Sequence, residues 1–244
     1  MAIPAFRSAG VLAHDVIAVT PLGGAGLAAQ DIELLLCESA DQAISLATPN
    51  GFVEVSGSPI SVPNATLSIA TRLALFWRRY SGQGNPVTND PGNHILAQRY
   101  CFSGCIESGN PWDFIQTSSE AVEDTSGSAT GASTSGADRL IAILIGAAKP
   151  DSVGTAEVSG FTNANLTNLT ERVDNAGNSG NGGHLGLATG ELASAGATGD
   201  TTYTKATAAY KAHFVVALKP ATSVLVYAPK IRVARQAIAR ASVF

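Results

Sequence analysis

Few side chains in this sequence are equipped for chemistry, and their spacing limits what each could do. Asp31 and Glu33 stand two apart in a run of strand type, so both project from one face. Glu120, Glu123 and Asp124 cluster in a Ser-, Thr- and Gly-rich stretch. Paired carboxylates suit glycoside hydrolysis, where one group gives a proton and the other acts as base or nucleophile. A sugar site also stacks its ligand on rings, and aromatics make up only 6% of the chain. The sequence "NPWDF" sets Trp112 beside Asp113, a candidate surface patch for a host glycan. The competing role for Trp112 is to plug the end of the fold, because Trp is highly buried on average.

Other chemistries find less support. His14, His94, His184 and His213 are isolated, and none belongs to a His-Glu-x-x-His motif. Cys101 and Cys105 in "YCFSGC" have a spacing open to a metal or a strained disulfide. With three cysteines in all, no second pair completes a zinc set, and buried thiols are the expectation. The chain has no Gly-x-Ser-x-Gly elbow, no phosphate loop and no dinucleotide fingerprint; "PLGGAG" reads as a turn. The expectation is no catalytic residue, no cofactor and no metal.

Strands must position these groups. Short apolar runs alternate with turns such as "TPNG", "GQGNP", "DPGN" and "NAGNSGNGG", the pattern of an all-β chain. The runs predict strands at 16–20, 32–38, 52–55, 71–77, 94–102, 139–146, 170–174, 184–189, 203–208 and 212–218. The stretch 119–137 is low in complexity, and reads as a flexible loop or a plain strand pair. The chain also repeats itself. "DIELLLCES", "NGFVEV", "TRLALFW" and "HILAQRYCF" are followed in the same order by "DRLIAILIGA", "SGFTNA", "GHLGLAT" and "AYKAHFVVALKP". Two such halves predict one jelly-roll-like sandwich of two sheets over residues 1–220.

Charged residues are 14% of the 244, well below the usual quarter. Sparse charge suits a surface that meets other subunits. The net charge of −4 disfavours direct nucleic-acid binding, and no apolar run is long enough for a membrane-spanning helix. No signal-peptide pattern opens the chain, so synthesis in the cytoplasm is expected. From Pro229 onward there are four cations and no acid; the rest therefore carries −8, the −4 of the whole chain less those four positive charges. Residues 221–244 predict a basic arm, extended or helical. Ile231 and Ile238 share one helical face, and Arg232 and Arg235 fall largely on the other. Lys230, Arg240 and the terminal Phe244 complete the residues expected to grip a neighbouring subunit.

The sequences "DIELLLCES", "PNGFVEV", "TRLALFWRR", "GFTNANLTNLTERVD" and "GGHLGLATGELASAGATGDTTYTKATAAYKAHFVVALKP" resemble a sandwich family of tailed bacteriophages and prophages. Those proteins are usually described only as hypothetical or virion-associated. The likeness spans about residues 5–220 and departs in two places: Phe52 stands where the family has Trp, and Tyr210 is the aromatic before the closing strand. The resemblance implies a virion protein assembled in several copies with other virion proteins. Capsid decoration or a head-associated role is the first expectation, with a tail, baseplate or fibre protein as the alternative. It implies no catalytic residues. The other class left open is a sandwich that binds or cleaves host-surface carbohydrate.

Overall fold

The computed structural model describes residues 1–64, 69–89, 92–154 and 156–222. Sixteen strands and no helix are found among them. In the first half these are β1 (Ala5–Ala9), β2 (Ala13–Asp15), β3 (Ala18–Val19), β4 (Ile32–Ser39), β5 (Ser45–Thr48), β6 (Val53–Glu54), β7 (Ile60–Val62), β8 (Thr71–Arg79), β9 (Val87–Asn89) and β10 (Ile95–Ser103). The second half holds β11 (Trp112–Ala129), β12 (Arg139–Ala147), β13 (Val158–Thr162), β14 (Thr167–Gly177), β15 (Gly183–Leu192) and β16 (Thr201–Leu218).

The two halves fold alike. One sheet runs β1-β10-β4-β8-β6, with β2 and β7 attached; the other runs β11-β16-β12-β15-β14, with β13 attached. Position by position, the strand order is the same, and all pairings are antiparallel. The segments that repeat in sequence therefore occupy equivalent places: β4 matches β12, β8 matches β15, and β10 matches β16. Each sheet takes its strands from one continuous half of the chain. A jelly roll distributes two Greek keys over both sheets, and this chain does not cross between sheets in that way.

The sheets pack face to face. Ile32, Leu34 and Leu36 of β4, with Leu73, Leu75, Leu96, Tyr100 and Phe102, meet Leu140, Leu144, Leu185, Leu187, Phe214 and Val216. Yet the alternate residues of the central strands are also apolar and buried, so each sheet needs a second cover. A three-stranded sheet, β3-β9-β5, covers the outer face of the first. There Val19, Leu46 and Phe52 lie over Leu35, Cys37, Phe76 and Ile95.

The second sheet is covered largely by its own ribbon. β11 and β16 pair over most of their 18 residues each, with register shifts between Glu120 and Ser126. Straight strands would hold Tyr203 and His213 roughly 33 Å apart, but Tyr203 Oη and His213 Nε2 are 2.8 Å apart. The ribbon thus folds back at its bulges, which bend strands in this way. Its far part, joined by β13, lays Tyr203, Ala129 and Val158 over Ile141, Ile143, Ile145 and Val215. Gly127 makes room for the Tyr203 ring of the facing strand, since any Cβ there would come within 2.1 Å of it. The low-complexity stretch is consequently strand as far as Ala129, and 203–208 and 212–218 belong to one bent strand instead of two.

Between the main sheets, Gly146 makes room for the buried Leu73: a Cβ at that position would lie 2.2 Å from Leu73 Cδ1. Gly146→Val should destabilise the fold by about 1–3 kcal/mol, the usual effect of overpacking. Urea unfolding followed by tryptophan fluorescence measures it.

Candidate functional site

The charged residues lie where the covering layers meet the sheets. Glu33 is fully buried on the outer face of β4, opposite Arg78 of β8. Arg78 Nε donates to Glu33 Oε2 at 2.6 Å, and Arg99 Nε to Oε1 at 2.9 Å; Arg99 Nη2 also bonds Oε1. The guanidiniums, each 2% exposed or less, reach on into the cover. Arg78 Nη1 binds the carbonyls of Asn50 and Gly84, and Arg99 Nη1 binds Asn85 Oδ1. Arg78 lies 4.4 Å from the centroid of the buried Phe52 ring, a cation–π contact. Two cations face one anion, and Arg78 Nη2 has no partner among the described residues. Burial pulls the Arg78 guanidinium below its usual pKa, while Glu33 holds it up.

A second polar layer lies under the folded-back ribbon. Asp174 Oδ1 bonds His184 Nε2 at 2.7 Å, and its Oδ2 accepts from Val158 N. Lys205 and Lys211 are fully buried. Lys205 pairs with Glu157 at 2.7 Å; Lys211 pairs with Asp124 at 2.7 Å and Glu120 at 3.3 Å. A hydrogen-bond chain then stitches the ribbon to the sheet. Thr130 N donates to Ser118 Oγ, Ser118 meets His213 Nδ1 at 3.2 Å, and His213 Nε2 meets Tyr203 Oη. Burial and the nearby Lys211 hold the His213 imidazole down at about 3. At the end of the sandwich interior, Glu38 bonds both His94 (2.8 Å) and Thr71 (2.7 Å).

The carboxylates flagged from the sequence are all engaged. Asp31 takes Arg7 at 2.7 Å and the Ala28 N–H; Glu33 holds the two arginines; Glu120 and Asp124 hold Lys211; Glu123 pairs with Lys149. Trp112 and Asp113 point to opposite faces of β11. Trp112 packs edge-on against Trp77, centroids 4.9 Å apart. Asp113 accepts from Arg139 Nε (2.6 Å), Ser135 Oγ and Gly136 N, and the first of these helps keep its carboxyl below the usual range against the opposing effect of burial. Cys37, Cys101 and Cys105 are buried free thiols, and desolvation raises Cys101 to about 11 and Cys105 to about 12. Phe52 is buried, whereas Tyr210 is half-buried and accepts from Asn64 Nδ2. No three His, Cys, Asp or Glu residues converge as a metal set among the described residues. Lys230, Ile231, Arg232, Arg235, Ile238, Arg240 and Phe244 lie outside the described residues.

No protein-family model matches the chain, and no curated protein or solved structure shows significant similarity to it. The residues that sequence reasoning passed over are the buried cations Arg78, Arg99, Lys205 and Lys211. Their signal was a charge at a position where strand alternation calls for an apolar side chain.

Two outcomes test this account. Glu33→Gln leaves two buried guanidiniums without their anion and should lower stability by about 3–5 kcal/mol, read from urea midpoints. His213 is held neutral in the fold but binds a proton near pH 6.5 once unfolded. Stability tied to it is therefore present above about pH 6.5 and lost as pH falls toward 3. Glu38, whose carboxyl burial pushes up, works in the opposite direction. The comparison with His213→Gln isolates the histidine: between pH 6 and 4 its stability should fall less steeply than the wild type's, by up to about 1.4 kcal/mol per pH unit.

Proposed function

We propose that the chain is a structural, non-catalytic component of a tailed-bacteriophage virion, present in several copies. Within that class the reading favoured is an outer accessory protein, of capsid-decoration or head-associated kind. The observation that carries it is the engagement of every flagged carboxylate in an ion pair within the fold. Asp31, Glu33, Asp113, Glu120, Glu123 and Asp124 all hold a cation, in positions that brace the sandwich. Such charges serve cohesion and are not poised for turnover.

Further support comes from composition and from the resemblance. Val11, Ile17, Leu22 and Val153 are exposed apolar side chains on a chain already poor in charge, which suits contact with siblings. The order of "NGFVEV", "TRLALFWRR" and "GGHLGLAT" resembles the phage sandwich pattern, a likeness that spans about residues 5–220. A tail, baseplate or fibre protein is the alternative within the class; the single sandwich without fibrous repeats favours the head. In this reading the basic segment from residue 221 is an assembly arm that grips a neighbour, with Lys230, Arg232, Arg235 and Arg240 meeting an acidic body.

Deleting residues 229–244 should leave a folded sandwich, with a β-type circular-dichroism spectrum, that no longer enters particles. Normal incorporation of the shortened chain would overturn the arm. Particles that assemble and infect without any copy of the protein bound to them would overturn the virion reading as a whole.

A further inference from the structure

Two adjoining hollows open where the edges of the main sheets meet, sharing Gly10, Gln98 and Asn175. The first, of about 380 Å³, adds Glu171, Arg172 and Asp174 from β14. The second, of about 480 Å³, adds Val11, Leu12, His14 and Val153. Together they make a groove whose net acidic end has Arg172 among its two carboxylates, and whose other end is apolar. Its walls include sheet edges. From Thr167 to Asp174, β14 pairs only with β15, and β1 pairs only with β10, among the described residues. Edges of this kind present free N–H and C=O groups to an incoming strand.

The apolar end continues into a rim. Val11 is 78% exposed and Val153 66%. Ile17, at 62%, and Leu22, at 54%, belong to the same stretch of chain, and the Leu22 carbonyl lies against Gly10. At the acidic end, Glu171 is exposed and forms no ion pair among the described residues. Burial and the neighbouring Asp174 push its carboxyl up.

We infer that this groove receives residues 223–244 of a second copy of the chain. The inference rests on reading that segment as an assembly arm, and it names the surface the arm grips. The chemistry matches at both ends. Val224, Leu225, Val226 and Tyr227 form a β-branched and aromatic run suited to an edge strand and an apolar rim. Lys230, Arg232, Arg235 and Arg240 follow, with no acid among the 22 residues, against a remainder that carries −8. The segment starts just beyond a fixed point: Ala221 N donates to Gly104 O at 2.8 Å, and Pro220 bridges Cys105, beside the start of β1. Twenty-two residues span up to roughly 70 Å when extended, enough to leave one body for the next.

Sedimentation velocity on the full-length chain tests this over a concentration series. Reversible self-association is expected. Glu171→Lys and Val11→Asp, both at exposed positions, should each weaken it about tenfold or more, equivalent to 1.4 kcal/mol. Excess synthetic peptide 223–244 should compete and return the chain to monomer. A chain that stays monomeric at every concentration overturns the inference, and so does self-association that neither substitution nor the peptide alters. Incorporation into particles is scored separately: a chain that enters particles without self-associating removes the groove assignment and leaves the virion reading standing.

Discussion

A strand that is apolar on both faces cannot rest in a two-layer sandwich, and this constraint shapes the molecule. β4 and β12 are buried at every position. Their inner residues meet across the sandwich, but Leu35 and Cys37 on one side, and Ile141, Ile143 and Ile145 on the other, need cover of their own. Burying a Leu or Ile side chain contributes about 1.5–3 kcal/mol, so leaving these faces wet is not tolerable. The two halves share one strand order and differ in how they meet that demand. The first recruits a small third sheet; the second folds its long ribbon back over itself.

Covering layers are harder to build than cores because their backbone and side chains are more polar, and register must still be fixed. Here buried ionic groups do that fixing. The Glu33 cluster reaches from two strands of the sheet into carbonyls and an amide of the cover, at Asn50, Gly84 and Asn85. Lys211 ties the sheet end of β16 to Glu120 and Asp124 at the ribbon's bend. Replacing such groups with apolar ones need not weaken a fold. Their directional bonds instead select one seating for a layer that apolar contact alone would let slide.

How much of this was legible follows the same division. "DIELLLCES" and "DRLIAILIGA" announced buried central strands, since near-continuous apolar runs have few other uses in an all-β chain. The repeat of segment order announced the matching sheets. The covers were obscure. β11 runs through "SSEAVEDTSGSA", whose small and polar residues show little contrast between faces, because one face of the ribbon meets only a thin layer. β16 read as two strands because Lys211 breaks its apolar pattern, although it is buried and its ammonium group is paired. The spacing singled out Asp31 and Glu33; what it could not reveal was that Arg7, Arg78 and Arg99 arrive from other strands to hold them.

The same reasoning separates a structural surface from a catalytic one. A catalytic carboxylate must face substrate and exchange a proton, so it is kept short of partners on one side. Asp113, with Arg139, Ser135 and Gly136 around it, has the opposite environment, and Trp112 beside it is turned inward onto Trp77. One carboxylate that does stay accessible, Glu171, sits at the joined sheet edges beside an apolar rim. An edge with unpaired backbone groups is a hazard for a lone molecule. It becomes useful when another chain supplies the missing strand.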